Sequence, residues 1–221
     1  GGIGMSGIAE ILSDMRYYVQ GSDININSNI LRLNKKNIKT FKGHKQENLK
    51  NVNLIVYSTA VKKNNVELTF AKKNKIPSLT RAEILSQIVK LKNSIAISGS
   101  HGKTTTTSLI SSILNAAKMN PTVINGGIIN QFGTNTRLGS GKWMVVEADE
   151  SDGTFVKLPS TIAVVTNIDK EHLDFYKNYN NLLVQFKKFI TQVPFYGFAV
   201  VCIDDASIRK IVNKITTVNI I

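Results

Sequence analysis

Residues 94–107 constrain this chain more than any other stretch. An apolar, β-branched run, Ser94-Ile95-Ala96-Ile97-Ser98, meets Gly99-Ser100-His101-Gly102 and then Lys103-Thr104-Thr105-Thr106-Thr107, followed by Leu109, Ile110, Ile113 and Leu114 at helical spacing. The order predicts a strand, a glycine loop and a helix. Backbone N–H groups of such a loop, with the positive end of the helix, face a phosphate chain; Lys103 would reach the terminal phosphates and Thr104 would offer a hydroxyl to Mg²⁺. Gly99, Ser100, His101, Gly102, Lys103, Thr104 and Thr105 are therefore the candidate contacts to ATP. The loop is short, since only Ser100 and His101 separate Gly99 from Gly102, and Ile97 stands where the general phosphate loop has its first glycine.

The net charge of +13 raises a nucleic-acid reading, so its placement matters. Residues 1–93 carry 16 Lys/Arg against 6 Asp/Glu, and residues 94–221 carry 12 against 9, so the excess lies away from the phosphate loop. It sits in Lys- and Asn-rich stretches such as Asn34-Lys35-Lys36-Asn37, without the interleaved aromatics of single-strand binders. A solvated basic surface is expected, and no nucleic-acid partner. No apolar run approaches the roughly 20 residues of a membrane span, so no membrane insertion is expected. The single cysteine, Cys202, sits in the run Phe198-Ala199-Val200-Val201-Cys202, reads as a small apolar residue, and fits a reducing, cytoplasmic compartment.

The chain opens on Gly1-Gly2-Ile3-Gly4-Met5-Ser6-Gly7, with Ile8, Ile11, Leu12 and Met15 then at helical spacing. This is half of a dinucleotide-type glycine turn feeding a helix. Tyr17-Tyr18-Val19 leads into Gly21-Ser22-Asp23, which places an acid where a Rossmann-like unit contacts a ribose or base; a turn or helix cap is the plainer role. A short strand is expected at residues 38–41, with Gly43-His44 in the turn after it. A buried parallel strand is expected at residues 54–58, which puts Ser58 and Thr59 at its ligand-facing end, as phosphate or sugar contacts or as helix caps. Helices are expected over 66–73 and 81–89, separated by the turn at Pro77, and a domain boundary over 90–93.

Two further strands deliver acidic segments. Trp143-Met144-Val145-Val146 feeds Glu147-Ala148-Asp149-Glu150-Ser151-Asp152, and Glu147, first off the strand, is best placed for Mg²⁺. Residues 161–166 feed Asn167-Ile168-Asp169-Lys170-Glu171-His172-Leu173-Asp174, where His172 is either a structural histidine or a ligand for a second ion. Asn125-Gly126-Gly127 and Gly133-Thr134-Asn135 read as glycine-rich loops near a substrate. A helix over 182–189, a strand over 197–203, a helix over 207–213 and a strand over 216–221 complete the reading.

Taken together, these blocks resemble the Mur ligases. The residues that carry the resemblance are Gly1 to Glu10, Gly21-Ser22-Asp23, Ser58-Thr59-Ala60-Val61, Arg81-Ala82-Glu83, Gly99 to Thr107, Glu147 to Asp152, and Thr166-Asn167-Ile168-Asp169 with His172 and Asp174. The shortened phosphate loop is the family's own form. The resemblance implies an α/β protein with a Rossmann-like domain over residues 1–93 that holds the UDP of a sugar nucleotide, and a P-loop-type, parallel-sheet ATPase domain over 94–221. It implies a fragment lacking the first strand and the C-terminal domain. Lys103, Glu147 and His172 would be the catalytic set, with Thr104, Glu147 and His172 holding Mg²⁺. Gly1, Gly2, Gly4, Asp23, His44, Ser58, Thr59 and Asn135 would face the UDP-sugar. The implied reaction is ATP-driven amide formation between UDP-N-acetylmuramate and L-alanine. A sister activity that attaches a preformed peptide, and a nucleotide-binding fragment without turnover, are the alternatives. The sequence departs from the family at Ser100, where Thr is usual, at Asn65-Val66-Glu67, where Asn-Pro-Glu is usual, and at Glu171, where Asp is common.

Overall fold

The structure, a computed structural model, describes residues 2–129 and 134–221. Gly1 and Gly133 lie outside the described residues. The elements run α1 (Ile3–Asp14), β1 (Gln20–Asp23), α2 (Ser28–Lys35), β2 (Lys39–Lys42), β3 (Ile55–Tyr57), α3 (Val66–Lys73), β4 (Ser78–Thr80) and α4 (Arg81–Val89). They continue with β5 (Asn93–Ser98), α5 (Lys103–Ala116), β6 (Thr122–Ile129), β7 (Thr134–Arg137), β8 (Trp143–Glu147), β9 (Ile162–Val165), α6 (Leu173–Tyr176), α7 (Tyr179–Thr191), β10 (Phe198–Val201), α8 (Ala206–Val212) and β11 (Asn219–Ile220).

The helix starts follow local chemistry. Asn65 accepts from the Glu67 and Leu68 N–H groups to begin α3, and Thr80 and Glu83 form a reciprocal capping box at α4. Asn178 and Asp205 cap α7 and α8 in the same way.

A seven-stranded sheet in the order β11-β10-β9-β5-β8-β6-β7 organises the second half, parallel throughout except for β7 against β6. The apolar run at 94–98 becomes β5, flanked by β9 and β8 and buried along nearly its whole length. Its carboxyl end therefore lies beside those of β8 and β9, where open α/β sheets collect ligands. Phe155, Phe186 and Phe189, each fully buried, pack with ring centroids 5.1 and 5.2 Å from Phe155. Burial of one such ring stabilises by about 1.5–3 kcal/mol. No helix among the described residues is long and apolar enough to cross a membrane.

The strands of the first half pair two by two. β1 pairs with β2 and β3 with β4, each pair parallel and joined through one helix, as two separate βαβ units. Short apolar runs identify strands but say nothing of which strand each will pair with. The expected turn at Pro77 also hides a strand, β4. α1 packs on β6 and β7, so the first half is docked against the edge of the large sheet.

Other expectations are corrected. Asn125-Gly126-Gly127 and Thr134-Asn135 lie within β6 and β7 rather than in loops. Glycine at 126 serves packing: a Cβ there would stand 2.5 Å from Glu147 Oε1. In α5 the inward residues are Thr107 and Ser111, with Ile110 and Leu114 against the sheet, while Leu109 and Ile113 face solvent. Cys202 lies one residue beyond β10 and is exposed.

Candidate nucleotide site

β5 passes into α5 through two left-handed glycines, Gly99 at φ +138° and Gly102 at φ +81°. Only glycine adopts these without strain, and a Cβ on Gly99 would also overlap Thr166 Oγ1. Gly102 is the N-cap of α5, and no side chain among the described residues caps the helix. The N–H groups of Lys103, Thr104 and Thr105 thus have no intrahelical acceptor and lie at the positive end of a 14-residue helix. This is a preformed anion cradle.

The segment after β9 holds the loop. Ser100 N–H donates to Asn167 O at 3.1 Å, His101 N–H to Asn167 Oδ1 at 2.8 Å, and Asp169 N–H to Ser100 Oγ at 2.8 Å. Thr166 Oγ1 and Asn167 Nδ2 both donate to His101 O, at 2.6 and 3.0 Å. His101 itself is exposed, with Nε2 2.9 Å from Asp169 Oδ2.

Two acidic positions face the cradle. Thr104 Oγ1 donates to Glu147 Oε2 at 2.9 Å and Gly126 N–H donates to the same oxygen at 3.0 Å. A hydroxyl and a carboxylate side by side at a strand end supply the hard oxygens Mg²⁺ needs. Lys103 Nζ donates to Gly99 O at 2.6 Å and Glu150 Oε1 at 2.9 Å. Glu150 is 1% exposed, and its backbone oxygen accepts from Tyr176 OH. Burial raises the Glu150 carboxyl above the usual glutamate value, only partly countered by Lys103. At Asp149 burial also pushes upward, but the Ser151 hydrogen bonds and the Arg81 and Lys103 charges outweigh it and lower the pKa.

His172 stands 3.7 Å from Glu150 Oε1, and ligand atoms of Glu150, Glu171 and His172 all lie within 4.8 Å of one another. Glu150 Oε2 is buried with no hydrogen-bond partner among the described residues. A buried carboxylate oxygen without a donor is costly, and a cation is one group that completes it. The donor set therefore fits a second divalent ion, with Glu150 and Glu171 beside His172.

The candidate sugar-nucleotide residues are spread over both halves. Gly2 is exposed at the N-cap of α1, and a Cβ on Gly4 would meet the Arg81 guanidinium at 2.8 Å. Asp23 ends β1, with Oδ1 accepting from Asn25 N–H, and His44 follows β2 at the same end of that pair. Ser58 and the exposed Thr59 follow β3 on the other pair; Ser58 Oγ accepts from Ala60 N–H. Asn135 is 1% exposed and spends its amide inside the protein. Its Nδ2 donates to Ile3 O at 3.0 Å and Asn125 O at 3.3 Å, and its Oδ1 accepts from Arg32.

A central parallel strand running through a glycine turn into an uncapped helix, with carboxylates at the neighbouring strand end, is the architecture of phosphate-loop nucleotide-binding α/β proteins. Comparison narrows the class. Residues 97–220 match the Mur ligase middle domain and residues 1–93 match the Mur ligase family catalytic domain, and the chain belongs to the Mur ligase family.

A UDP-N-acetylmuramate--L-alanine ligase of Brucella anthropi is 54% identical over 215 residues, covering 97% of this chain and 46% of that relative. Its Brucella ovis counterpart is 55% identical with the same coverage. The chain thus spans about half the length of these curated relatives. Among solved structures, the UDP-N-acetylmuramate-alanine ligase of Thermotoga maritima has TM-score 0.87 at 28% identity, covering 96% of this chain and 49% of that one. A ligase from Neisseria meningitides named for UDP-N-acetylmuramate and a tripeptide has TM-score 0.90 at 23% identity, over 100% and 74%, a likeness of fold.

Proposed function

We propose that this chain is the sugar-nucleotide-binding and ATP-binding part of an ATP-dependent ligase that joins L-alanine to the lactyl carboxylate of UDP-N-acetylmuramate in peptidoglycan precursor synthesis, in the cytoplasm. The observation that carries it is the Lys103-Glu150 and Thr104-Glu147 pairing around an uncapped helix end. Residues 1–93 take the UDP side and 94–221 take ATP.

In this reading the first-turn N–H groups of α5 and Lys103 bind the β- and γ-phosphates. A carboxylate oxygen of the sugar nucleotide attacks the γ-phosphorus; the new O–P bond forms as the bridging P–O bond breaks and its electron pair leaves with ADP. The free amine of L-alanine then attacks the acyl carbon; the new C–N bond forms through a tetrahedral intermediate, the C–O bond to phosphate breaks with its electron pair leaving on phosphate, and the proton lost by the nitrogen goes to the departing phosphate or to water. Thr104 and Glu147 would hold one Mg²⁺, and His172 with Glu150 and Glu171 a second; the ions supply charge neutralisation on the transferring phosphoryl group. No protein nucleophile is required, because in-line placement of two bound substrates supplies much of the rate.

The sister activity, addition of a preformed peptide, rests on a fold likeness at 23% identity, whereas the alanine ligases are 54 and 55% identical. Alanine is therefore the acceptor we favour. The 221-residue chain by itself is expected to bind nucleotide without multiple turnovers. Calorimetric titration with MgATP tests the binding half: Lys103→Ala should abolish it, and unchanged affinity would remove the basis of the reading.

A further inference from the structure

Glu67, the acid of the Asn65-Val66-Glu67 segment, sits at the N-terminal turn of α3, yet its carboxylate reaches the carboxyl ends of β1 and β2. Glu67 Oε1 accepts from Asn48 Nδ2 at 2.7 Å and from Lys45 N–H at 3.3 Å. Glu67 Oε2 accepts from Ser22 Oγ at 2.6 Å and lies 3.2 Å from His44 Nδ1, which is also 3.0 Å from Ser22 Oγ.

The donor count decides the ring. Ser22 has one hydroxyl proton and gives it to Glu67, so its oxygen faces His44 with lone pairs only. Glu67, as carboxylate, has lone pairs only as well. Both neighbours of His44 Nδ1 are thus acceptors, and Nδ1 must carry the proton. In the neutral ring, Nε2 is then a lone-pair acceptor. Nε2 takes part in no hydrogen bond among the described residues, and the side chain is 23% exposed, beside Asp23 at the ligand-facing end of the pair.

We propose that Glu67 and Ser22 fix the Nδ1–H tautomer of His44, so that His44 Nε2 accepts a hydrogen bond from a donor on the uridine of the sugar nucleotide, either the uracil imide N–H or a ribose hydroxyl. His44 is the residue that contacts the uridine and Glu67 a positioning residue acting through it. This rests on the assignment of the β1–β2 end to the UDP side.

The test has two parts, both on the 221-residue chain. Imidazole ¹⁵N correlation spectra of the unliganded protein should show His44 with a pyrrole-type Nδ1 and a pyridine-type Nε2; the opposite tautomer overturns the proposal. Calorimetric titration with UDP and CDP should give about a three- to tenfold loss of UDP affinity in His44→Ala, the worth of one hydrogen bond. A loss confined to UDP identifies the imide N–H, which CDP lacks, and an equal loss for both identifies a ribose hydroxyl. Glu67→Gln should scramble the His44 tautomer and lower UDP affinity, while Glu67→Asp should restore both in part. If wild-type chain fails to bind UDP, the site assignment falls. If it binds UDP and neither His44→Ala nor Glu67→Gln changes the affinity, the assignment stands and this inference falls.

Discussion

Substituting Gly99 by alanine tests whether the phosphate loop is held in one tightly backed conformation that only glycine adopts without strain. Gly99 has φ +138°, and an added Cβ would overlap Thr166 Oγ1 while standing 3.0 Å from Asn167 O and 3.1 Å from Asn167 N. The backbone conformation costs a non-glycine residue about 1–3 kcal/mol. Overpacking against the backbone of the β9 segment adds about 1–3 kcal/mol. The sum, about 2–6 kcal/mol, corresponds to a fall in Tm of about 4–24 °C for a chain of this size. Gly43→Ala is the control, because Gly43 has φ +83° but nothing within 4 Å of its would-be Cβ, so it reports the backbone cost alone. Urea denaturation and scanning calorimetry of both variants give the comparison. Thr166→Ala removes the first obstructing atom, so the double variant with Gly99→Ala should lose less than the sum of the singles. A Gly99→Ala variant no less stable than Gly43→Ala would refute the reasoning.

Gly126→Ala should act on the metal side instead: its Cβ would stand 2.5 Å from Glu147 Oε1, a movable carboxylate end, so stability should hold while Glu147 swings from Thr104 and Mg²⁺-dependent ATP affinity falls about tenfold or more in calorimetry. Glu150 has a raised pKa in the fold, so its contribution to stability is present below the ordinary glutamate value and is lost as pH rises through the raised value. Urea midpoints across that window should show Glu150→Gln gaining on the wild type as pH rises, and a gap that closes instead would contradict the burial argument. Phe155→Ala should cost about 3–5 kcal/mol in urea denaturation, since the ring is fully buried between Phe186 and Phe189; a loss under 1 kcal/mol would contradict the packing.

The strands around the phosphate loop were legible because each is a short, mostly apolar run rich in β-branched residues that breaks off at polar or glycine residues, as at Ile97-Ser98-Gly99, Val145-Val146-Glu147 and Val164-Val165-Thr166. The starts of α3 and α4 were legible because Asn65 and Thr80 cap locally. Pairing was not legible: whether β1–β2 and β3–β4 join one sheet depends on contacts distant in sequence. The same limit hid the Lys103-Glu150 bond, 47 residues apart, and the clamp of Thr166 and Asn167 on His101. Thr-Asn-Ile-Asp could be singled out as a motif, but its partner could not be read from it. Asn135 was marked by its glycine-rich setting, a signal that cannot distinguish a ligand contact from the buried tie to Ile3 and Asn125 seen here.

The chain spans about half the length of its curated relatives, so the direct test of the proposed activity places it in a full-length frame. Exchanging this chain's 215 matched residues into the Brucella ovis relative and following orthophosphate release from ATP isolates their contribution. Release that requires both UDP-N-acetylmuramate and L-alanine, and that disappears with Lys103→Ala, is the predicted result. Release that is indifferent to L-alanine, that requires a peptide in its place, or that survives Lys103→Ala would contradict the account.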